Sequence, residues 1–491
     1  MQSEPEISLA FLSSSSNLPS ADRKRTLKKI LLSCVLLYWF AQVFFLINIQ
    51  FPRTQNFDEF HYVPSAKQFL QLKENQNWEH PPLAKLLMAG GIAIGGDRPL
   101  GWRLMSTVFG SLTLVGMFLW GLAVFRNWRA AWTVTALTLF NQLLYVQARI
   151  GMLDTFMFAF IVWGLAAFCA AWDPRLTPKT LNRLLLFAGL MFGLASACKW
   201  IGIIPWALCI GLMICVRVFQ HWGIVFQSPP SSTHGNRSSR ISNPLPPETP
   251  WYQPDLFKSV TLGSWLLALG VIPVLAYFAT FIPYLFINRT PTYTVLDFFG
   301  MQMKMWEGQQ RVVNSHPYMS DWKSWPFMTR PIWYAFDKEG PAQEWVRGVL
   351  LVGNPLMMWT GLVAWMICVW KWIADRSRKD FLIAVIYAAF VFCWMAIPRK
   401  VAFYYYYYPA GMTLSLALTS VLMGRQRLSE NLTNPSSRLS PVSATSERAF
   451  PYELVAIGLA AGIFIFFFPV LAGLKIPSET FRRWMWLNSW I

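Results

Sequence analysis

FDEFHYVPSA, residues 57–66, sets two acids, a histidine and a tyrosine just beyond an apolar run that spans about 30–50. A run of that length can cross a bilayer as one helix, which takes roughly 20 apolar residues. Ten more such runs follow, at about 104–125, 130–148, 155–172, 184–198, 200–219, 258–287, 346–370, 380–397, 403–423 and 452–473. The chain is 55% hydrophobic and only 13% charged, with mean hydropathy +0.36. That is more apolar surface than a soluble core needs, and it predicts an all-α polytopic membrane protein of about 11 spans. The acids of the opening stretch then stand at the edge of a membrane.

The basic stretch DRKRTLKK precedes the first run, and no small-residue cleavage site follows it, so a retained span is expected. Lys and Arg in the short loops RNWR (126–129), DPRLTPKTLNR (173–183) and KWIADRSRK (371–379) fall on the same side as that stretch. By the positive-inside rule this side is the cytoplasm of a cell-membrane protein, and eleven spans place the C-terminus outside. The organisation read from these signals is a basic cytoplasmic N-terminus (1–29) and an N-terminal membrane region (30–225) with an exterior loop at 51–103. A linker (226–257) joins it to a C-terminal membrane region (258–491) with an exterior loop at 288–345 and a linker at 424–451. The Ser/Pro-rich segments in the two linkers read as flexible and cytoplasmic. Seven cysteines lie in apolar runs without a CxxC pair, which suggests neither a disulfide framework nor a zinc site. The net charge of +18 suits contact with anionic inner-leaflet lipid and needs no nucleic acid.

Polar groups gather at the exterior ends of the spans. Asp58 and Glu59 begin the series, and NWEHPPLAKLL (77–87) adds Glu79, His80 and Lys85 around a proline suited to a helix start. QARIGMLDTF (147–156) places Arg149 and Asp154, and ACKWIG (197–202) places Lys199, at exterior span junctions. Ionisable groups at membrane depth are expensive and are functional candidates by default, with structural ion pairs and snorkelling end residues as the competing account.

FDEFHY, WEHPPLAKLL, ARIGMLD and ACKWIG, in this order and spacing, resemble the protein O-mannosyltransferase family, lipid-carrier-dependent glycosyltransferases of the GT-C type. HPYMSDWKSWPFMTRPIWY (316–334), LVGNPLMMW (351–359), PRKVAFYYYYYP (398–409) and FFPVLAGLKIPSETFRRWMWLNSW (467–490) extend the resemblance over nearly the whole chain. Two departures stand out. The large β-trefoil domain of eukaryotic members is absent from the 288–345 loop, which gives the chain the look of a bacterial member. Where many members have a histidine after the late arginine, only tyrosines stand from Tyr404 to Tyr408.

The resemblance implies transfer of mannose, or a similar hexose, from a polyprenyl-phosphate carrier to Ser or Thr hydroxyls of exported polypeptides, with inversion, in exterior loops. It assigns Asp58 as base and lets Glu59 orient the acceptor or the loop. Arg149, Lys199 and Arg399 are the cations for the lipid phosphate, an arginine being the better bidentate clamp. His61, His80, Lys85, His316 and Tyr404 are candidates for lining donor or acceptor, and Asp154 for holding Arg149. No cofactor or metal is required, because fixed cations face a lipid monophosphate; a divalent ion on Asp58 and Glu59 is compatible with the sequence. Two other readings share the pattern: an aminoarabinose-transferase-like enzyme that modifies a glycolipid, and a lipid-linked sugar transporter or flippase. A transporter needs polar residues through the midplane, whereas here they collect at one boundary.

Overall fold

The computed structural model describes residues 20–224, 250–311, 315–397, 399–433 and 451–491. The N-terminus to residue 19 and most of both linkers, 225–249 and 434–450, lie outside the described residues.

Among the described residues the first helix is α1 (Ser20–Leu46), long and apolar enough to cross a membrane, followed by α2 (Glu59–Leu70) and α3 (Leu83–Gly95) in the loop before the next long helix. Next come α4 (Pro99–Phe125), α5 (Trp128–Leu139), α6 (Gln142–Gln147), α7 (Leu153–Ala171), α8 (Pro178–Cys198) and α9 (Ile203–His221). A helix from Leu262 contains a π turn at Leu267–Val271 that separates α10 (Leu262–Leu266) from α11 (Ile272–Ala279). Then α12 (Asp297–Gln310), α13 (Pro355–Asp375), α14 (Arg378–Phe392), α15 (Tyr408–Thr433) and α16 (Tyr452–Ala472) complete the series. Local chemistry marks the starts. Pro99 and Pro178 occupy first-turn positions, and the side chains of Asn127 and Thr177 accept from the backbone N–H three residues on.

Eight of the described helices are long and apolar enough to cross a membrane. The other three expected spans fall on helices that are interrupted, short or partly polar. The run at 130–148 is split between α5 and α6 at Phe140 and Asn141, α14 has 15 residues, and α15 turns polar from Arg425. Asn354 bridges the break by donating from Nδ2 to the carbonyls of Phe140 (3.0 Å) and Ala460 (2.9 Å). Burial sorts the bundle. Nearly all of α7 is buried between α4 and α8, while α1, α13 and α16 expose apolar side chains such as Val43, Val363 and Ile465. An apolar surface outside a buried core is what lipid contact requires. Gly189 lets α8 touch the span that begins at Leu262: a Cβ there would sit 1.8 Å from the Ala268 carbonyl oxygen.

Three expectations need correction. The span expected from 346 opens instead as a strand, because the apolar Trp345–Leu351 pairs antiparallel with Ile332–Glu339 and, at its start, with Ile476–Pro477. A small three-stranded sheet therefore sits among the described helices, and the segment before the next long helix runs past 345 to Pro355. The end of the first linker is packed rather than loose: Trp251, Tyr252, Leu256 and Phe257 are buried, with Trp251 stacked on Phe381 at 4.5 Å. Both α1 and α15 also extend into segments read as tail and linker.

Candidate functional site

The opening stretch turns sharply before it becomes a helix. Phe57 has φ 54°, Asp58 follows at the N-cap, and α2 begins at Glu59. Asp58 makes no side-chain cap, so its carboxylate is available elsewhere. Oδ2 accepts from the Tyr62 hydroxyl one helical turn on (3.2 Å) and from the Tyr405 hydroxyl (3.4 Å). Oδ1 carries no hydrogen bond among the described residues. Burial raises the Asp58 carboxyl above the ordinary range, against the pull of Lys199 and His61.

Glu59 points the other way. It is fully buried, and its two oxygens take a bidentate pair from Arg103 at 2.8 Å each. The same carboxylate accepts from the backbone of Gly151 (2.8 Å) and Asn56 (3.1 Å), and Arg103 also donates to the carbonyls of Ile49, Pro52 and Thr54. Glu59 thus fastens the loop to α4 and to the turn before α7. With both oxygens so engaged it offers no shared ligand for a divalent ion beside Asp58.

Tyr405 and Tyr406 carry the cluster onward. The Lys199 ammonium lies over both rings, 4.8 and 4.6 Å from their centroids, and pairs with Asp154 at 2.9 and 2.8 Å. Arg399 lies 5.0 Å over Tyr406, donates from Nε to the Val401 carbonyl and from Nη1 to Gln309 Oε1 (2.9 Å). Its Nη2 carries no hydrogen bond among the described residues. Gln309 in turn donates to the Glu79 carbonyl (2.8 Å) and lies 3.4 Å from His80 Nδ1. His80 packs edge-on to Tyr62, and burial holds its imidazole well below the usual histidine range, so it is neutral near pH 7. A cavity of about 480 Å³ opens beside His80, lined by Trp78, Tyr284, Arg289, Lys304 and Arg311 among others.

The structure therefore brings Asp58, Lys199, Asp154, Arg399 and His80 together. Exposed His61 stands one turn of backbone from Asp58, and His316 is adjacent, edge-on to Phe57 (5.7 Å), with Nδ1 accepting from the Tyr318 N–H. Three candidates are placed otherwise. Arg149 does not pair with Asp154; it donates to the carbonyls of Phe45, Ile47 and Leu471 and lies over Tyr145. Lys85 is fully buried, donates to the carbonyls of Asn77 and His80, and is pushed by burial down to about 7, so it lines no open surface. Tyr404 turns into the bundle, where its hydroxyl accepts from Gly353 N. The tyrosines at the cluster are its neighbours Tyr405 and Tyr406, with Tyr62. Sequence reasoning also missed Arg103 and Gln309. An arginine beside the apolar run at 104–125 was a usable signal; an isolated glutamine was none.

A family model described as dolichyl-phosphate-mannose-protein mannosyltransferase matches residues 98–285, and one for the C-terminal four-span region of protein O-mannosyltransferase matches 294–490. The polyprenol-phosphate-mannose–protein mannosyltransferase of Mycobacterium tuberculosis is 25% identical, over 89% of this chain and 87% of that protein. In fold, the chain is similar to the Saccharomyces cerevisiae protein O-mannosyltransferase Pmt1-Pmt2 complex bound to the sugar donor (TM-score 0.72, 15% identity, 94% and 92% of the two chains). A weaker likeness is to ArnT from Cupriavidus metallidurans bound to undecaprenyl phosphate (TM-score 0.53, 14% identity, 89% and 76%).

Proposed function

Because the chain belongs to the protein O-mannosyltransferase family, we infer that it is a multi-span membrane glycosyltransferase moving mannose from a polyprenyl-phosphate carrier to protein. The acceptors are Ser or Thr hydroxyls of exported polypeptides, and transfer occurs at the outer face of the cell membrane. The N-terminus is cytoplasmic and the C-terminus exterior. The observation that carries the mechanistic part is the Asp58 carboxylate. The Tyr62 and Tyr405 phenols hold one of its oxygens and the other is open, while Lys199 stands over Tyr405 and Tyr406 and Arg399 over Tyr406.

In this scheme Oδ1 of Asp58 takes the proton of the acceptor hydroxyl as that oxygen attacks the anomeric carbon. The bond from that carbon to the phosphate oxygen breaks on the opposite face, so configuration inverts. The leaving phosphate keeps the electron pair, and Arg399, with its open Nη2, clamps it while Lys199 adds positive potential. Asp154 holds Lys199 in place. Neutral His80 can offer a hydrogen bond to the sugar without adding charge. No cofactor or metal enters the scheme.

The test is purified enzyme in lipid nanodiscs with polyprenyl-phosphate mannose and a Ser/Thr peptide. Asp58→Asn keeps the shape and removes the base, and turnover is expected to fall about 10²- to 10⁴-fold with inversion seen in the wild-type product. Near-normal turnover of the folded variant eliminates Asp58 as base, and label found on lipid but not on peptide replaces the protein acceptor by a glycolipid.

A further inference from the structure

Helix α12 has two apolar faces and only one of them is covered. Phe298 and Met305 are buried in a small core with Phe69, Phe281 and Tyr284. On the other side Leu296, Phe299, Met303 and Trp306 recur at intervals of three and four residues and are 79%, 60%, 62% and 48% exposed. A stripe of that spacing forms one continuous helix face. Large side chains so exposed in a row mark a surface that meets a partner.

The neighbourhood identifies the partner as lipid. A polar stretch, residues 288–294, separates the preceding span from the stripe in sequence, but the stripe packs back on that span: the rings of Phe299 and Phe278 lie 5.0 Å apart, and the last turns of the span expose Ile282 (50%) and Phe286 (65%). Lys304 and Arg311 stand beside the stripe, and Trp306 is of the type that settles at the headgroup level. A helix with an uncovered apolar face, flanking charges (Lys304, and Arg311 paired with Glu307) and too few apolar residues to cross lies in the interface plane. The cavity beside His80 is walled by Met301, Lys304, Met305 and Arg311 of this segment, so the lipid surface and the cavity share one helix.

We propose that α12 is seated in the bilayer surface by Leu296, Phe299, Met303 and Trp306, and that this lipid-held helix sets the position of Arg399 and His80 through Gln309. Gln309 is its last turn's contribution: one side-chain amide accepts from Arg399 and donates to the loop that carries His80. Gln309 is a positioning residue, since it reaches the cations and not the reacting atoms. The kinetic part rests on the reading of Arg399 as the phosphate clamp; the lipid contact does not. An enzyme that acts on a lipid-borne donor would in this way keep its clamp ordered only where the donor is found.

The experiment places a photo-crosslinking phenylalanine analogue, p-benzoylphenylalanine, at Phe299 or Met303 in the full chain, reconstituted in phosphatidylcholine and phosphatidylglycerol nanodiscs. After irradiation, mass spectrometry is expected to find acyl-chain adducts at both positions, as at the span position Phe466, and none at Lys323. Absence of adducts at 299 and 303, with Phe466 labelled, overturns the seating whether or not the enzyme transfers mannose. For the coupling, Gln309→Ala is expected to raise the donor KM about tenfold with acceptor KM and melting temperature unchanged, and Gln309→Glu, which still accepts from Arg399, to recover part of it. An unchanged donor KM in Gln309→Ala overturns the coupling. Loss of mannose transfer by the wild type would overturn the proposed function and leave the adducts standing.

Discussion

Arg103, Arg149 and Lys85 end only on a buried carboxylate or on backbone carbonyls or side-chain amides, whereas Lys199, though paired with buried Asp154, and Arg399, though bonded to Val401 and Gln309, also lie over the faces of Tyr405 and Tyr406. Both sets lie toward the end of the bundle that carries the 51–98 loop. The first set has spent its donors on the protein, so removing one of these cations strands acceptors that have no water to replace it. The second set is held partly by the negative faces of aromatic rings, a contact that leaves N–H groups free for a ligand. Adjacent Asp58 and Glu59 divide along the same line: Glu59 is consumed by Arg103, and Asp58 keeps an oxygen open. A charge at membrane depth is thus read best by what remains unbonded on it.

That division can be broken at either set. The largest effect belongs to the acids: Asp58→Asn is expected to lose about 10²- to 10⁴-fold in kcat at unchanged melting temperature. A lowered melting temperature would move Asp58 to the structural set. Arg103→Met leaves Glu59 buried and unpaired, and a loss of about 3–5 kcal/mol is expected. Thermal unfolding in nanodiscs measures it, and a stable Arg103→Met with altered donor kinetics would reverse the assignment. Arg399→Lys keeps charge and loses the fork, so donor KM is expected to rise by a factor corresponding to about 1.5–3 kcal/mol while acceptor KM stays fixed. Arg149→Lys should do the opposite, costing about 1–3 kcal/mol of stability through the carbonyls it abandons and leaving donor KM alone.

The smallest effect sharpens the site itself. Burial raises the Asp58 pKa and the Tyr62 hydroxyl, hydrogen-bonding the ionised form, pulls it back down; the Tyr405 hydroxyl donates to the same oxygen at 3.4 Å. Lys199 and His61 pull in the same direction, while Asp154 and burial push it up. The base must be ionised, so kcat/KM should climb with pH through the Asp58 pKa. Tyr405→Phe removes one stabilising donor, and the acidic limb is expected to move to higher pH by a fraction of a unit. A limb that moves to lower pH, or does not move, removes Tyr405 as a partner of the base.

The sequence was most legible where the signal is long. Apolar runs fall on the eight long helices, with ends displaced by up to nine or ten residues, as at Ser20 and Pro355, because a span must satisfy its own backbone and cannot hide its length. It was least legible where a short apolar run could be strand or helix, as at Trp345–Leu351, whose partners lie at Ile332 and Ile476. In the site, each motif announced its ionisable residue, and Asp58, Lys199, Arg399 and His80 do converge. Which acid meets which base was not readable, since Asp154 lies five positions from Arg149 and yet pairs with Lys199, forty-five positions on. Helix direction decides this. Asp154 starts α7 facing the α8 end, while Arg149 turns back toward α1 and α16.

The clasp between the two ends of the chain has a bearing on the order of assembly. Asn48, just past α1, donates to the Ala472 carbonyl across 424 positions, and Arg149 reaches the neighbouring Leu471. During synthesis these two hydrogen bonds wait until α16 has entered the membrane, whereas Tyr405 reaches Asp58 of the 51–103 loop before it, so that region gains its last hold only from the final helix. A chain stopped at residue 450 should consequently insert its earlier helices but leave the 51–103 loop far more sensitive to protease than in the full chain. Equal resistance of the two would show that the bonds to Leu471 and Ala472 are not needed to hold that loop.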